Sequence, residues 1–161
     1  MSAYEYHTIT VDTVGQASAN TWTSFLQTPL HNVVEVELLA CHVHTTDATE
    51  HLYIKIDELD SNFNDRAAKA GDDATTGQGE ISRVSGAFAS LVSESTAGGT
   101  ANIVFVFKQN YPMKTEFKTP VRTIDRFTCT LLNQEGVTIK NSATTGNNFL
   151  VLRAKLAKTN L

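Results

Sequence analysis

In Val33-Val34-Glu35-Val36-Glu37-Leu38-Leu39-Ala40-Cys41-His42-Val43, apolar and polar side chains alternate with the period of two that marks a half-buried β-strand. Val34, Val36 and Leu38 share one face against Glu35 and Glu37. From Leu39 onward the phase switches, so that Leu39, Cys41 and Val43 form the apolar set and His42 and His44 the polar one. A one-residue slip moves every later side chain to the other face, so either a β-bulge sits near Leu38 and Leu39 or the strand passes between two faces. Strands that bend in this way turn the corner of a sandwich.

Outward from this stretch the same period recurs. Upstream, Tyr4 to Val11 sets Tyr4, Tyr6 and Thr8 against Glu5, His7 and Ile9, and Trp22 to Leu26 is a short apolar patch closed by Thr28-Pro29, where a proline is expected to stop the ladder. Downstream, His51 to Ile56 alternates cleanly, and Ala87 to Val92 is a further strand between Gly86 and the turn at Ser95 to Gly99. Ile103 to Phe107 is apolar on both faces, which predicts a central, doubly covered strand; Tyr111-Pro112 then breaks the ladder. In Arg126 to Leu132 the apolar set is Phe127, Cys129 and Leu131, and Asn133-Gln134-Glu135-Gly136 makes a hairpin turn into Val137 to Ile139. Phe149 to Leu156 puts Leu150, Leu152, Ala154 and Leu156 on one face.

Eight or nine short strands, with no long helix and no internal repeat, predict an all-β fold. The expected form is an antiparallel two-sheet β-sandwich, an eight-stranded single jelly roll spanning residues 1–161 as one domain. An immunoglobulin-like sandwich is disfavoured because Trp22 precedes both cysteines. One segment breaks the pattern. From Asp57 to Gly79 the chain is acidic and rich in Asn and Gly, and a loop of that length in a compact domain is expected to be a contact or mobile element.

Composition narrows the function. Thirteen Lys and Arg against seventeen Asp and Glu give a net charge of −4, which supplies no basic field for phosphates and argues against direct nucleic-acid binding. No apolar run reaches the roughly 20 residues a membrane helix needs, and Met-Ser-Ala-Tyr-Glu-Tyr has no export-signal pattern, so folding in a reducing cytosol is expected. Cys41 and Cys129 sit in apolar runs without CxxC spacing and read as small buried hydrophobes.

Chemistry-bearing patterns are sparse. His42-Val43-His44 with Glu50 resembles the His-x-His and Glu of the cupin metal site, since residues i and i+2 share a side of a strand. The flanking glycines are missing and no histidine follows His51, so solvent-facing strand histidines are the plainer reading. Asp60-Ser61-Asn62-Phe63-Asn64 alternates oxygen side chains as a calcium loop does, but Asp65 and Gly71 stand where such a loop needs Gly and Glu. No nucleophile elbow or phosphate-cradling glycine loop occurs, and no cofactor or catalytic residue is predicted.

Two longer segments carry a resemblance. Leu52-Tyr53-Ile54-Lys55-Ile56-Asp57-Glu58-Leu59, and Ile124-Asp125-Arg126-Phe127-Thr128-Cys129-Thr130-Leu131-Leu132-Asn133-Gln134-Glu135-Gly136 following Pro120, resemble jelly-roll capsid proteins of DNA viruses. The length matches a single-roll vertex, minor capsid or cement component. The resemblance implies a non-enzymatic virion protein whose partners are copies of itself and other capsid proteins. Subunit contacts are then expected at Tyr4 and Tyr6, at Phe63, Asp72 and Asp73 of the long loop, and at Val104 and Val106. The alternative is a carbohydrate-binding, lectin-like sandwich with Trp22, Tyr53 and Tyr111 as stacking residues; a cupin-like metal protein is third.

Overall fold

The computed structural model describes residues 3–45, 49–60, 64–66, 84–92, 103–108, 113–139 and 146–158. Seven strands form there: β1 (Tyr4–Asp12), β2 (Thr21–Thr45), β3 (His51–Ile56), β4 (Ala89–Val92), β5 (Ile103–Lys108), β6 (Lys114–Leu132) and β7 (Phe149–Ala157). A single turn of 3-10 helix, Asp57–Leu59, follows β3, and no α-helix occurs among the described residues. Every strand pair is antiparallel, in the order β1-β7-β2-β6-β3-β4, with β5 also on β2. The all-β, antiparallel expectation is met.

Two strands are much longer than the alternation suggests. Trp22–Leu26 and Val33–Val43 fuse into the 25-residue β2, and β6 begins at Lys114, well before the expected Arg126. The prolines do not end these strands because each falls where the ladder is interrupted. Leu26 to Pro29 stand opposite the single Asp125, and Phe117 to Pro120 opposite the single Val34, so neither missing N–H deprives a ladder pair. Straight, β2 would reach about 80 Å at about 3.3 Å per residue. A chain of this length folds to a radius of gyration of about 15 Å, so the sheet must curl.

The curl follows from the bulges. Against β7, the register of β2 shifts between Leu38 and Ala40, where the phase switch predicted a bulge, and again between Val33 and Glu35. The residues facing the core are therefore Val33, Val36, Leu38, Cys41 and Val43, while Val34 and Leu39 are half-buried extras. This corrects the expected face sets by one residue on each side. The concave face gathers these side chains with Leu52, Ile54 and Ile56 of β3, Phe127, Cys129 and Leu131 of β6, and Leu150, Leu152 and Ala154 of β7 into one core.

Three smaller expectations change or hold. β5 pairs with β2 alone among the described strands, and Val106 is 50% exposed, so β5 is not a doubly covered central strand. The turn at Asn133–Gly136 forms, with Gly136 N–H donating to the Asn133 carbonyl and Gly136 at φ 75°. Beyond it only an isolated bridge joins Leu132 to Thr138, not a strand over Val137–Ile139.

Asn148 is the polar keystone of the β1 end. It is fully buried, and its side-chain amide donates to the Ala19 carbonyl (2.7 Å) while its Oδ1 accepts the His44 N–H (2.8 Å). Its own N–H donates to Thr13 Oγ1 (2.9 Å), and its carbonyl accepts the Thr13 N–H (3.1 Å). Asn148→Ala strips the two side-chain bonds and leaves a half-buried N–H and a half-buried carbonyl unmet, so a stability loss of about 1–3 kcal/mol in urea unfolding is expected.

Candidate interaction surface

The pairing registers lay out the convex face of β1, β7, β2 and the β5–β6 edge row by row. At one end, Phe149 lies beside His42, which lies beside Val106, and in the next row Val151 lies beside Ala40. These side chains line a shallow, apolar depression of about 330 Å³. Phe149 and Val106 are 36% and 50% exposed. At the other end the rows are charged. Arg153 Nη2 donates to Glu37 Oε2 at 2.7 Å, and Lys114 Nζ donates to Glu116 Oε1 at 2.7 Å and to Glu35 Oε2 at 3.4 Å.

The aromatic arm borders this ladder. The Arg153 guanidinium stands 5.5 Å from the Tyr6 ring centre and the Lys155 ammonium 4.3 Å from that of Tyr4. In one row the signs alternate, Arg153 beside Glu37 and Glu37 beside Lys114, whereas in the next Glu35 lies directly opposite Glu116 and Lys114 bridges the two carboxylates. The hydrogen bond to Glu116, and then the charge of and bond to Glu35, raise the Lys114 pKa; the same contact lowers that of Glu116. Both groups are solvated, so such pairs orient side chains more than they stabilise the fold.

The expected contact residues divide three ways. Tyr4 and Tyr6 are exposed on β1, and Val106 is exposed on β5. Val104 stands opposite His44 in the β2–β5 register, and its side chain lies outside the described residues. Phe63, Asp72 and Asp73 also lie outside them, as do Ser61 and Asn62 of the calcium-like pattern and Tyr111. The stem of the long loop is described. Arg66 N–H donates to the Val84 carbonyl, Ala87 N–H to the Asn64 carbonyl, and Gly86 N–H to Asp65 Oδ1, so the chain leaves and returns at one place beside β3.

His42 and His44 do share a side of β2, with ring centres 4.7 Å apart. Gly146, at φ +96°, closes onto the His44 ring, whose Nδ1 is buried without a hydrogen-bond partner among the described residues. Glu50 does not complete a ligand set with the two histidines. Among the described residues no three His, Cys, Asp or Glu side chains are placed to hold a metal ion.

No protein-family model matches this chain, and no curated protein matches it. The chain's own residues therefore carry the functional reading. Trp22 and Tyr53 are 4% and 8% exposed, so neither offers a ring for a sugar to stack on. Tyr53 instead packs with Val84 and Ala87 at the loop stem. Among the described residues no helix is long and apolar enough to cross a membrane.

The two segments that carry the capsid resemblance meet in space. The Glu58 carboxylate accepts the Thr128 N–H at 2.6 Å, Leu59 is fully buried, and the Leu59 carbonyl accepts Thr115 Oγ1. The acidic Ile-x-Glu-Leu pattern is thus a structural clasp that extends the β3–β6 ladder by one side chain. Alternation placed Arg153 and Lys155 on the face opposite the buried leucines, but did not reveal that they, with Phe149 and Val151, lie beside β2. The signal available was their position between the buried leucines of β7; what they face depends on the bulges.

Proposed function

We propose that this chain is a single jelly-roll structural subunit of a virus shell, a vertex, minor capsid or cement component, acting through repeated subunit contacts. The observation that carries the reading is the order of strand pairing. β3 pairs with β4, the second half of β2 with β5, the first half of β2 with β6, and β1 with β7, all antiparallel. These are nested pairs, as in one long hairpin of eight segments rolled up on itself. Rolling such a hairpin generates two four-stranded runs: β1, β7, the second half of β2 and β5, and then the first half of β2, β6, β3 and β4. Two interlocked Greek keys of this kind make a jelly roll, and two facing sheets are the form in which such a hairpin buries its concave side chains.

The exterior supports a contact role. Phe25, Phe149, Val106, Tyr4 and Tyr6 are exposed apolar or aromatic side chains on a chain of modest net charge, and the β1 and β4 edges have no partner strand among the described residues. Apolar surface and open strand edges are what repeated subunit contacts cover. Light scattering on the purified chain tests the reading. A defined mass several times that of one chain is expected at micromolar concentration, and a monomer there overturns the proposal.

A further inference from the structure

Building on the assembly reading, we infer that β1 pairs edge to edge and antiparallel with β1 of a second copy, about a twofold axis through Tyr6. Among the described residues β1 ends the sheet, and all nine of its residues pair with β7 in unbroken register. Lys158 N–H donates to the Ala3 carbonyl and Thr13 N–H to the Asn148 carbonyl, bracketing the strand at two odd-numbered positions. Because an antiparallel ladder alternates, Glu5, His7, Ile9 and Val11 direct their backbone groups at β7. Tyr6, Thr8 and Thr10 direct theirs to the open edge.

Natural edge strands are blunted by lysine, proline, bulges or shortness. Among the described residues, the first half of β2 pairs only with β6 and carries Pro29 and a register shift, β4 has four residues, and β5 ends in Lys108. β1 runs Tyr-Glu-Tyr-His-Thr-Ile-Thr-Val-Asp with none of these devices. A long flat edge left unprotected in this way is an edge meant to be covered.

The charge pattern selects a second copy as the cover. With Tyr6 on the axis, Glu5 of each chain lies opposite His7 of the other in a non-hydrogen-bonded pair, where Cα atoms approach to about 4.5 Å and side chains touch. Glu5 and His7 already meet within one chain at 2.6 Å, and their side chains are 56% and 38% exposed, so both are available at the edge. The dimer gathers them into a four-group cluster in which each imidazole meets a carboxylate from its own chain and one from the mate. An axis at His7 would place Glu5 opposite Ile9 and lose this match. The register also pairs even-numbered residues with even-numbered ones, as their outward backbone groups require.

Three variants of the full chain test the contact. The Tyr6 N–H points away from β7, so Tyr6→Pro removes no internal bond yet blocks the edge. Sedimentation across a concentration series should show association weakened by about a hundredfold, from two lost hydrogen bonds at about tenfold each, with an unchanged circular dichroism spectrum. Tyr6→Cys should give a disulfide-linked dimer on mild oxidation with diamide, because residues facing each other in such a pair lie about 5.5 Å apart. Thr10→Cys, about 27 Å from its symmetry mate, should not crosslink. Cys41 and Cys129 are buried and do not interfere.

Glu5→Lys should weaken association, and adding His7→Glu should restore it. A wild-type chain that stays monomeric at micromolar concentration overturns this contact together with the assembly reading. A wild type that associates while Tyr6→Pro associates equally, or while Tyr6→Cys fails to crosslink, overturns the β1 contact alone.

Discussion

Phe127→Ala is expected to lower the unfolding free energy by about 3–5 kcal/mol. Phe127 has no exposed surface and sits on β6 opposite Ser24 of β2, on the concave side of the curled sheet. Truncating its ring removes the largest fully buried side chain of the core and leaves a cavity that paired backbones on both sides cannot collapse to fill. Domains of this kind hold about 5–15 kcal/mol in total, so the urea midpoint should drop by about a fifth or more. Phe25, one step along the same ladder, provides the contrast. It is 71% exposed and lies under the Arg126 guanidinium at 5.3 Å, so Phe25→Ala should cost less than about 1 kcal/mol. Equal losses for the two phenylalanines would mean that the sheet does not curl over Phe127.

That contrast also separates what alternation can and cannot disclose. Phe127, Cys129 and Leu131, and likewise Leu150, Leu152 and Ala154, fall on the buried face as period two predicts, because β6 runs there in unbroken register and the extra residue at the β2–β7 slip lies on β2, leaving the alternation of β7 intact. In β2 the phase switch at Leu38 and Leu39 pointed to the bulge, but the second slip at Val33 and Glu35 left no comparable mark, since Val33 and Val34 are both apolar. Pro29 misled for a different reason. A proline forbids a ladder bond only where one is made, and Pro29, like Pro120 in β6, stands in a stretch where the partner strand is short of residues. The candidate surface is further from reach still. Tyr4 and Tyr6 are visible as surface residues, but Val106 reads as part of a covered strand, and the neighbourhood of Phe149, His42 and Val106, or of Arg153 and Glu37, exists only once the registers are set.

Alkali should unfold this protein through its two thiols. Burial pushes Cys41 from its ordinary value of 9.0 up to about 12, and burial, with the Glu58 and Asp57 carboxylates nearby, pushes Cys129 up as well. Both groups are neutral in the fold and ionise freely once exposed, so between pH 9 and pH 12 the native chain binds up to two more protons than the unfolded one. Each such proton destabilises the fold by about 1.4 kcal/mol per pH unit. The contribution is fully present well below pH 9 and is lost as pH rises, amounting to about 3 kcal/mol between pH 9 and pH 10.5 for the pair. Tyrosine and lysine titrate in the same range, so the slope must be assigned by variant. Cys41→Ala with Cys129→Ala lowers stability at every pH through lost packing, yet its unfolding free energy should fall far less steeply above pH 9 than that of the wild type. Identical slopes would require thiols that ionise as easily in the fold as out of it, which two side chains this deep in a closed apolar layer do not allow.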